Sequence, residues 1–306
     1  MALPPPRVML FGDEAIAAAA LLILDGHPVA VPTETVYGLA ADATNADAVA
    51  RIYAAKGRPS FNPLIVHVAD LAAAEKLGRF DDQARALAKA HWPGPLTLVV
   101  PLRPDAAIAS LVTAGLPSIA LRVPAHPAMQ ALLAATARPL AAPSANASGR
   151  ISPTRASHVV ASLGMRVALV IDGGATERGI ESTIVAATGG PLRLLRRGPI
   201  EIDAIFDGGT IEAPGQLASH YAPQKPLRLD ASEARDGEFL IGYGPVAGDA
   251  TLSATGDPVE AAARLFDLLH QADASAAPRI AVAPIPGPSL AAALRDRLTK
   301  AAAPRD

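Results

Sequence analysis

Several short segments concentrate polar groups in an otherwise apolar chain. Pro32-Thr33-Glu34-Thr35-Val36-Tyr37-Gly38 sets hydroxyls around a carboxylate directly after an apolar run. Lys56-Gly57-Arg58-Pro59-Ser60-Phe61-Asn62 places two cations close together, then a hydroxyl and an amide on a proline-braced loop. That pattern suits a phosphate clamp, since a guanidinium forks onto oxygens and an ammonium adds a point charge. The plainer alternative is that Lys56 and Arg58 only complement the C-terminal dipole of a preceding helix. His67 lies in an apolar run, where a lone histidine is more often a hydrogen-bonded core residue than a catalyst. Arg122 ends Ser118-Ile-Ala-Leu-Arg122, and burying it demands an anionic partner, either an internal carboxylate or that of a ligand. Ala142-Pro143-Ser144-Ala145-Asn146, with Ser148, Gly149 and Ser152 behind it, offers hydroxyls and backbone donors to an anion. Glu181-Ser182-Thr183 follows a glycine-containing loop, and Leu195-Arg196-Arg197-Gly198 adds two cations. Each segment alone is explicable as turn chemistry; so many at strand ends are harder to dismiss.

The elements that must position these residues alternate between helix and strand. Asp13 is placed to cap a helix ending near Gly26, and Val29 to Val31 forms a short strand before Pro32. Asn45 caps a helix to Lys56 that Gly57 closes, and Leu64 to Val68 is the next strand. On it a period of two puts Leu64, Val66 and Val68 on one face and Ile65 with His67 on the other. Asp70 and Asp81 open further helices; Leu96 to Pro101, Ile119 to Val123 and Leu140 to Ala142 read as buried strands. A helix from Thr154 to Leu163 leads to strand Val167 to Ile171. Ser182 to Ala186 and Leu192 to Leu195 then pair across Thr188-Gly189-Gly190, which argues for a mixed sheet. Residues 207–226 read as a connector, and 227–306 as a small α/β unit of strand Phe239 to Tyr243, helix Pro258 to Gln271, strand Arg279 to Ala283 and helix Ser289 to Ala302. Ligands in open α/β sheets sit at strand ends, where the polar segments fall.

Composition narrows the chemistry. With 306 residues, half of them hydrophobic and 18% charged, the chain buries a large core and is not disordered. A net charge of −2 and 4% aromatic residues give no global footprint for nucleic acid or anionic membrane. The absence of cysteine excludes thiolate nucleophiles, thiolate zinc sites, iron–sulfur clusters and disulfides. Only five lysines occur, which makes Lys56 inside a motif conspicuous. No ordinary P-loop, His-Glu-x-x-His or Gly-x-Ser-x-Gly is present, and Gly242-Tyr-Gly244 followed by Gly248 misses the dinucleotide fingerprint by one position. The start of the chain carries no leader pattern and no run reaches the length of a membrane span, so a soluble cytoplasmic protein is expected.

Taken together, Pro32-Thr-Glu-Thr-Val-Tyr-Gly-Leu39, Lys56-x-Arg58-x-x-x-Asn62-Pro-Leu-Ile-Val-His67, Trp92-Pro-Gly-Pro-Leu-Thr97, Arg122-Val-Pro-Ala-His-Pro127, Ala142-Pro-Ser144-Ala-Asn146 and Glu181-Ser182-Thr183 resemble the YrdC-type threonylcarbamoyl-AMP synthases. The motifs occur in family order across about residues 12 to 206. Pro214-Gly-Gln-Leu-Ala-Ser-His220-Tyr221-Ala-Pro223 is similar to the linker of the longer, two-domain Sua-type branch, where it returns over the active site.

The resemblance implies a YrdC-like twisted mixed α/β sheet with helices on its faces over 1–206, a linker over 207–226, and a small Rossmann-like α/β domain over 227–306. It implies an enzyme, a nucleotidyltransferase joining L-threonine, bicarbonate and ATP into threonylcarbamoyl-AMP and pyrophosphate, the first step toward threonylcarbamoyladenosine at position 37 of tRNA. Thr35, His67, Arg122, Ala142 and Ser182 match the threonine site. Lys56, Arg58, Asn62, Ser118, Ser144, Asn146, Ser152, Arg196 and Tyr221 match the ATP side, with Lys56, Arg58 and His67 the residues expected to carry catalysis. Mg²⁺ accompanies ATP, held by phosphates and water rather than protein; no metal site and no organic cofactor are expected. The product passes to the tRNA threonylcarbamoyl-transfer machinery, without membrane association or stable nucleic-acid binding. The family's Arg-Pro-Gly is here Arg196-Arg197-Gly198, so either arginine is a candidate ligand. An RNA- or tRNA-binding module of the same fold is the alternative reading. The carbamoyl-transfer domain of hydrogenase maturation shares the core but expects zinc-finger cysteines, which this chain lacks.

Overall fold

The computed structural model describes residues 6–207, 212–216 and 219–304; residues 208–211 and 217–218 of the expected connector lie outside the described residues, as do 1–5 and 305–306. The first unit comprises β1 (Arg7–Leu10), α1 (Asp13–Leu24), β2 (Val29–Val31), β3 (Gly38–Asp42), α2 (Ala46–Lys56), β4 (Ile65–His67), α3 (Leu71–Glu75), α4 (Asp82–His91) and β5 (Leu96–Pro101). It continues through α5 (Ser110–Thr113), β6 (Ser118–Arg122), α6 (Pro127–Thr136), β7 (Leu140–Ala141), α7 (Ala156–Leu163), β8 (Leu169–Asp172), β9 (Thr183–Ala186), β10 (Arg193–Arg196) and β11 (Ile205–Phe206). These strands form one mixed sheet in the order β1-β8-β2-β3-β7-β4-β6-β5-β9-β10-β11. Beyond the connector, β12 (Leu227–Arg228), β13 (Glu238–Gly242), β14 (Ala250–Thr251), α8 (Pro258–Ala274), β15 (Arg279–Val282) and α9 (Leu290–Ala302) build a parallel sheet in the order β12-β15-β13-β14.

Local chemistry accounts for most boundaries. The Asn45 side chain accepts from Asp47 N and Ala48 N, and Gly57 at φ +60° ends α2 in the left-handed region. Asp70 and Asp81 likewise cap α3 and α4. Asp13, by contrast, is the first residue of α1 rather than its cap, because Gly12 precedes the helix and no side chain caps it. Strand β3 is not anticipated from sequence. Gly38-Leu39-Ala40-Ala41-Asp42 is small, lacks β-branched residues and is buried on both faces, so it shows no alternation. Its antiparallel pairing with β2 makes Thr33–Tyr37 a hairpin loop. Helix α6 is also unanticipated; Pro127 stands in its first turn and His126 Nδ1 accepts from Ala128 N.

Leu64, Val66 and Val68 enter the main core, whereas Ile65 packs on the opposite sheet face with Ala120 and Ile184. The two units share apolar contacts: Val36, Ile151 and Ile180 of the first pack with Phe266, Leu265 and Leu294 of the second. Among the described residues no helix is long and apolar enough to cross a membrane.

Candidate active site

The β2–β3 hairpin loop, the ends of β4, β6 and β10, and the loop after β7 converge on one cavity. One wall is built on β6, which runs parallel to β4 with His67 opposite Arg122. Arg122 Nη2 donates to Glu34 Oε1 at 2.6 Å, Nη1 to Thr35 Oγ1 at 3.0 Å and Nε to the Gly94 carbonyl at 3.2 Å. Glu34 is thus the internal partner that the buried arginine demands; its other oxygen accepts from Ala125 N. Burial alone would raise the Glu34 pKa, but the charge and hydrogen bond of Arg122 outweigh it and hold the carboxyl below its usual range. Three bonds do not exhaust the donors of Arg122, so its guanidinium can still meet an anion from the cavity. Thr35 is fixed by its own loop, since Thr33 Oγ1 contacts Thr35 Oγ1 at 2.8 Å and donates to the Val36 carbonyl at 2.7 Å.

His67 faces the same space with both ring nitrogens buried and without a protein partner. Burial, reinforced by the Arg122 charge, depresses its pKa to about 3, so the imidazole is neutral at physiological pH. It can offer one donor and one acceptor to a ligand.

Arg58 and Arg196 bring further positive charge. Arg58 donates from Nε to the Asn62 carbonyl at 3.2 Å and from Nη2 to the Pro63 carbonyl at 2.9 Å. Burial lowers its pKa to about 10, which leaves it charged. Arg196 donates from Nε to the Ser182 carbonyl and from Nη2 to Ser182 Oγ, both at 3.0 Å, and from Nη1 to the Pro214 carbonyl at 3.3 Å. Arg197 turns away and stacks its guanidinium 4.8 Å from the Phe206 ring centroid, so of the two candidates only Arg196 lines the cavity.

The connector supplies the cover. Pro214, Gly215, His220 and Tyr221 all line the cavity. Gly215 has φ +87°, and a Cβ there would come within 2.8 Å of the Tyr221 hydroxyl, so this turn needs glycine. The Tyr221 ring lies 5.5 Å from Phe266 of α8 and beneath the Arg297 guanidinium of α9. Burial raises the Tyr221 hydroxyl to about 12 and lowers His220 to about 3. Lys300 holds the Gly215 carbonyl from behind at 2.8 Å.

Of the residues expected from sequence, Thr35, Arg58, His67, Arg122, Ala142, Ser144, Arg196 and Tyr221 meet around this cavity. The others are not among its lining residues. Lys56 is fully enclosed and donates to the carbonyls of Ser144 and Asn146, so it braces the loop that carries Ser144. Asn62 keeps both side-chain amide atoms buried without partners; Asn146 donates to the carbonyls of Ala147 and Arg150. Ser118 begins β6 on the face shared by Ala120 and Arg122. Ser182 Oγ contacts Thr97 Oγ1 at 2.7 Å, and Ser152 donates to Glu181.

Three charged groups escape the sequence reading of individual roles. Glu34 orients Arg122. Glu181 lines the cavity and pairs at 2.9 Å with Arg297, which comes from the other unit. Arg297 does leave a trace in sequence, because it interrupts the buried stripe Ala291, Leu294, Leu298, Ala301 at helical spacing. Arg58, Arg122 and Arg196 therefore face one lining carboxylate, Glu181, already paired with Arg297, while Glu34 is outside the lining and tied to Arg122, and the cavity favours anions. Among the described residues no group of three or more His, Cys, Asp or Glu is placed to hold a metal ion.

A family model described as "Telomere recombination" (Sua5/YciO/YrdC) matches residues 21–198, and one for the threonylcarbamoyl-AMP synthase C-terminal domain matches 180–303. The threonylcarbamoyl-AMP synthase of Bacillus subtilis is 47% identical over 71% of this chain and 67% of its own. That of Pyrococcus abyssi is 38% identical over 94% of this chain and 93% of its own. The crystal structure of P. abyssi Sua5 complexed with L-threonine superposes with a TM-score of 0.88 at 34% identity, covering 97% of this chain and 96% of that one. The chain belongs to the Sua5/YrdC family, in the two-domain form that carries the threonylcarbamoyl-AMP synthase C-terminal domain.

Proposed function

We propose that this chain condenses L-threonine, bicarbonate and ATP into L-threonylcarbamoyl-AMP, releasing pyrophosphate and water. The threonine amine forms the new N–C bond with the carbonate carbon, from which an oxygen departs as water. The resulting carbamate oxygen bonds to the α-phosphorus as the bond to pyrophosphate breaks. The observation that carries this reading is one cavity with two kinds of wall. Arg122, fixed by Glu34 and Thr35 beside the neutral His67, suits an amino-acid carboxylate and its polar side chain. Arg58 and Arg196, beneath Gly215 and Tyr221, suit the phosphates. We assign Ala142 and Ser182 to the threonine side, and Asn62, Ser118, Ser144, Asn146 and Ser152 to the nucleotide side. Lys56 acts there through the Ser144–Asn146 loop it braces.

Catalysis by such a site is positioning and charge neutralisation, with no covalent nucleophile required. The single lining carboxylate, Glu181, is tied to Arg297, and the nearby Glu34 to Arg122; they do not fit a protein cage for Mg²⁺, so the ion belongs to ATP as its chelate. The likeness to enzymes that bear the synthase name supports delivery of the product to a tRNA-modifying transferase in the cytoplasm. Pyrophosphate release from ATP by the purified chain is expected to require both L-threonine and bicarbonate. Release indifferent to bicarbonate overturns the reading.

A further inference from the structure

Arg196 is a buried cation, 4% exposed, that forms no ion pair among the described residues; its guanidinium donates only to a serine hydroxyl and two carbonyls. The cavity carboxylate on its side is Glu181, which begins the segment carrying Ser182. Glu181 is not directed at Arg196. Its Oε1 accepts from Ser152 and its Oε2 accepts from Arg297 Nε at 2.9 Å. Arg297 has a side chain with 0% exposure and is itself fixed on every side, by Asp296 at 2.8 Å, by the Arg197 carbonyl at 2.9 Å and by the Tyr221 ring beneath it. Two arginines thus flank one carboxylate, and the one from the C-terminal unit holds it.

We propose that Arg297 is a positioning residue for the nucleotide: by holding Glu181 against Ser152, it leaves the Arg196 guanidinium free to neutralise phosphate. This rests on the assignment of Arg196 to the ATP side. Without Arg297, Arg196 is the other cation whose charge acts on the buried Glu181 carboxylate, and pairing with it cancels the charge offered to the ligand. The C-terminal unit then contributes to nucleotide affinity through one side chain that touches no substrate.

The test is direct titration of ATP binding by calorimetry for the wild-type chain, Arg297→Met, Arg297→Lys and the double variant Glu181→Gln with Arg297→Met, each checked for a cooperative melting transition. Arg297→Met is expected to weaken ATP by tenfold or more, Arg297→Lys by less. The double variant, which has no carboxylate left to quench Arg196, is expected to regain most of the loss. Unchanged affinity in Arg297→Met, or a double variant no better than the single one, overturns the proposal. If Arg297→Met does not fold, the double variant alone decides: near wild-type ATP affinity supports the proposal, and a loss of tenfold or more overturns it. Binding is read without turnover, so a failure of the bicarbonate requirement appears separately, in pyrophosphate release by the wild-type chain.

Discussion

Arg122 shows how a buried charge acquires a task. Its pairing with Glu34 compensates the charge in the fold, and the guanidinium still turns donors toward the cavity beside His67. Arg122→Ala is expected to weaken threonine by about 100-fold, the order of a lost charge-assisted bidentate contact, while ATP affinity changes by less than about threefold. Equal losses for both ligands, measured as KM in the pyrophosphate assay, would show that Arg122 serves a different group. The variant also leaves Glu34 buried without its cation, so a lower Tm accompanies the effect. Sequence already narrowed the partner of Arg122 to a protein or ligand carboxylate. It did not choose Glu34, because the two residues stand 88 positions apart and meet only when the hairpin loop folds over β6. Lys56 shows the opposite limit. It and Arg58 look equivalent in the chain, yet Gly57 leaves the helix in the left-handed region between them. Lys56 then points to backbone carbonyls and Arg58 to the cavity.

At the scale of elements, legibility followed periodicity and capping. Helix α2 was readable from Asn45 to Gly57, and β4 from its alternation, because single residues there decide the backbone. Strand β3 was not, since small residues buried on both faces carry neither signal, and its absence concealed that the Thr33–Tyr37 loop is a hairpin. The loop before Glu181 is set by a contact that no local signal announces. Gly179 sits at φ +66°, and a Cβ there would lie 2.2 Å from the Ala262 carbonyl oxygen and 2.6 Å from the Ala263 Cα of α8. Glycine is what lets α8 approach the first unit. Gly179→Ala therefore combines about 1–2 kcal/mol of backbone strain with a displacement of α8 costing a further ~1–3 kcal/mol. Gly174→Ala, at φ +78° with open space around its Cβ, carries the strain alone. Thermal melts of the two variants are expected to place Gly179→Ala several degrees below Gly174→Ala; equal Tm values would mean that the contact with α8 is not tight in solution.

Across the whole molecule, the two units are joined by an apolar and polar seam beside the cavity, with Arg297 of the second unit reaching the cavity-lining Glu181. Val36, Ile151 and Ile180 bury apolar surface against the second unit, each contributing about 1.5–3 kcal/mol. Polar contacts cross the same seam: His270 meets the Ser152 carbonyl at 3.2 Å, Arg155 pairs with Asp267, and His158 stacks on His270 with ring centroids 3.8 Å apart. The joint contains histidines that must stay neutral. Burial holds His158 and His220 at about 3, with His67 equally depressed in the cavity. For His158 the nearby His270 adds to burial, while Asp267 opposes it; for His220, Arg58, Lys56 and Arg196 add to burial and Glu181 opposes it. A folded-state pKa below the unfolded value of about 6.5 means that the unfolded chain binds the proton first. Stability is therefore full above pH 6.5 and falls as pH drops from there toward 3, by up to about 1.4 kcal/mol per pH unit for each group. Acting together, three such groups would erode about 4 kcal/mol per unit, a large part of a typical folding free energy of about 5–15 kcal/mol. Urea denaturation at pH 7, 6 and 5 is expected to show a midpoint that falls steeply below pH 6.5, well above the range where carboxylates titrate. A His158→Phe variant, which keeps a ring for the stack without the titrating nitrogens, is expected to flatten that slope. A wild-type midpoint that is level from pH 7 to pH 5 would mean that these rings are hydrated in solution and that the seam is open.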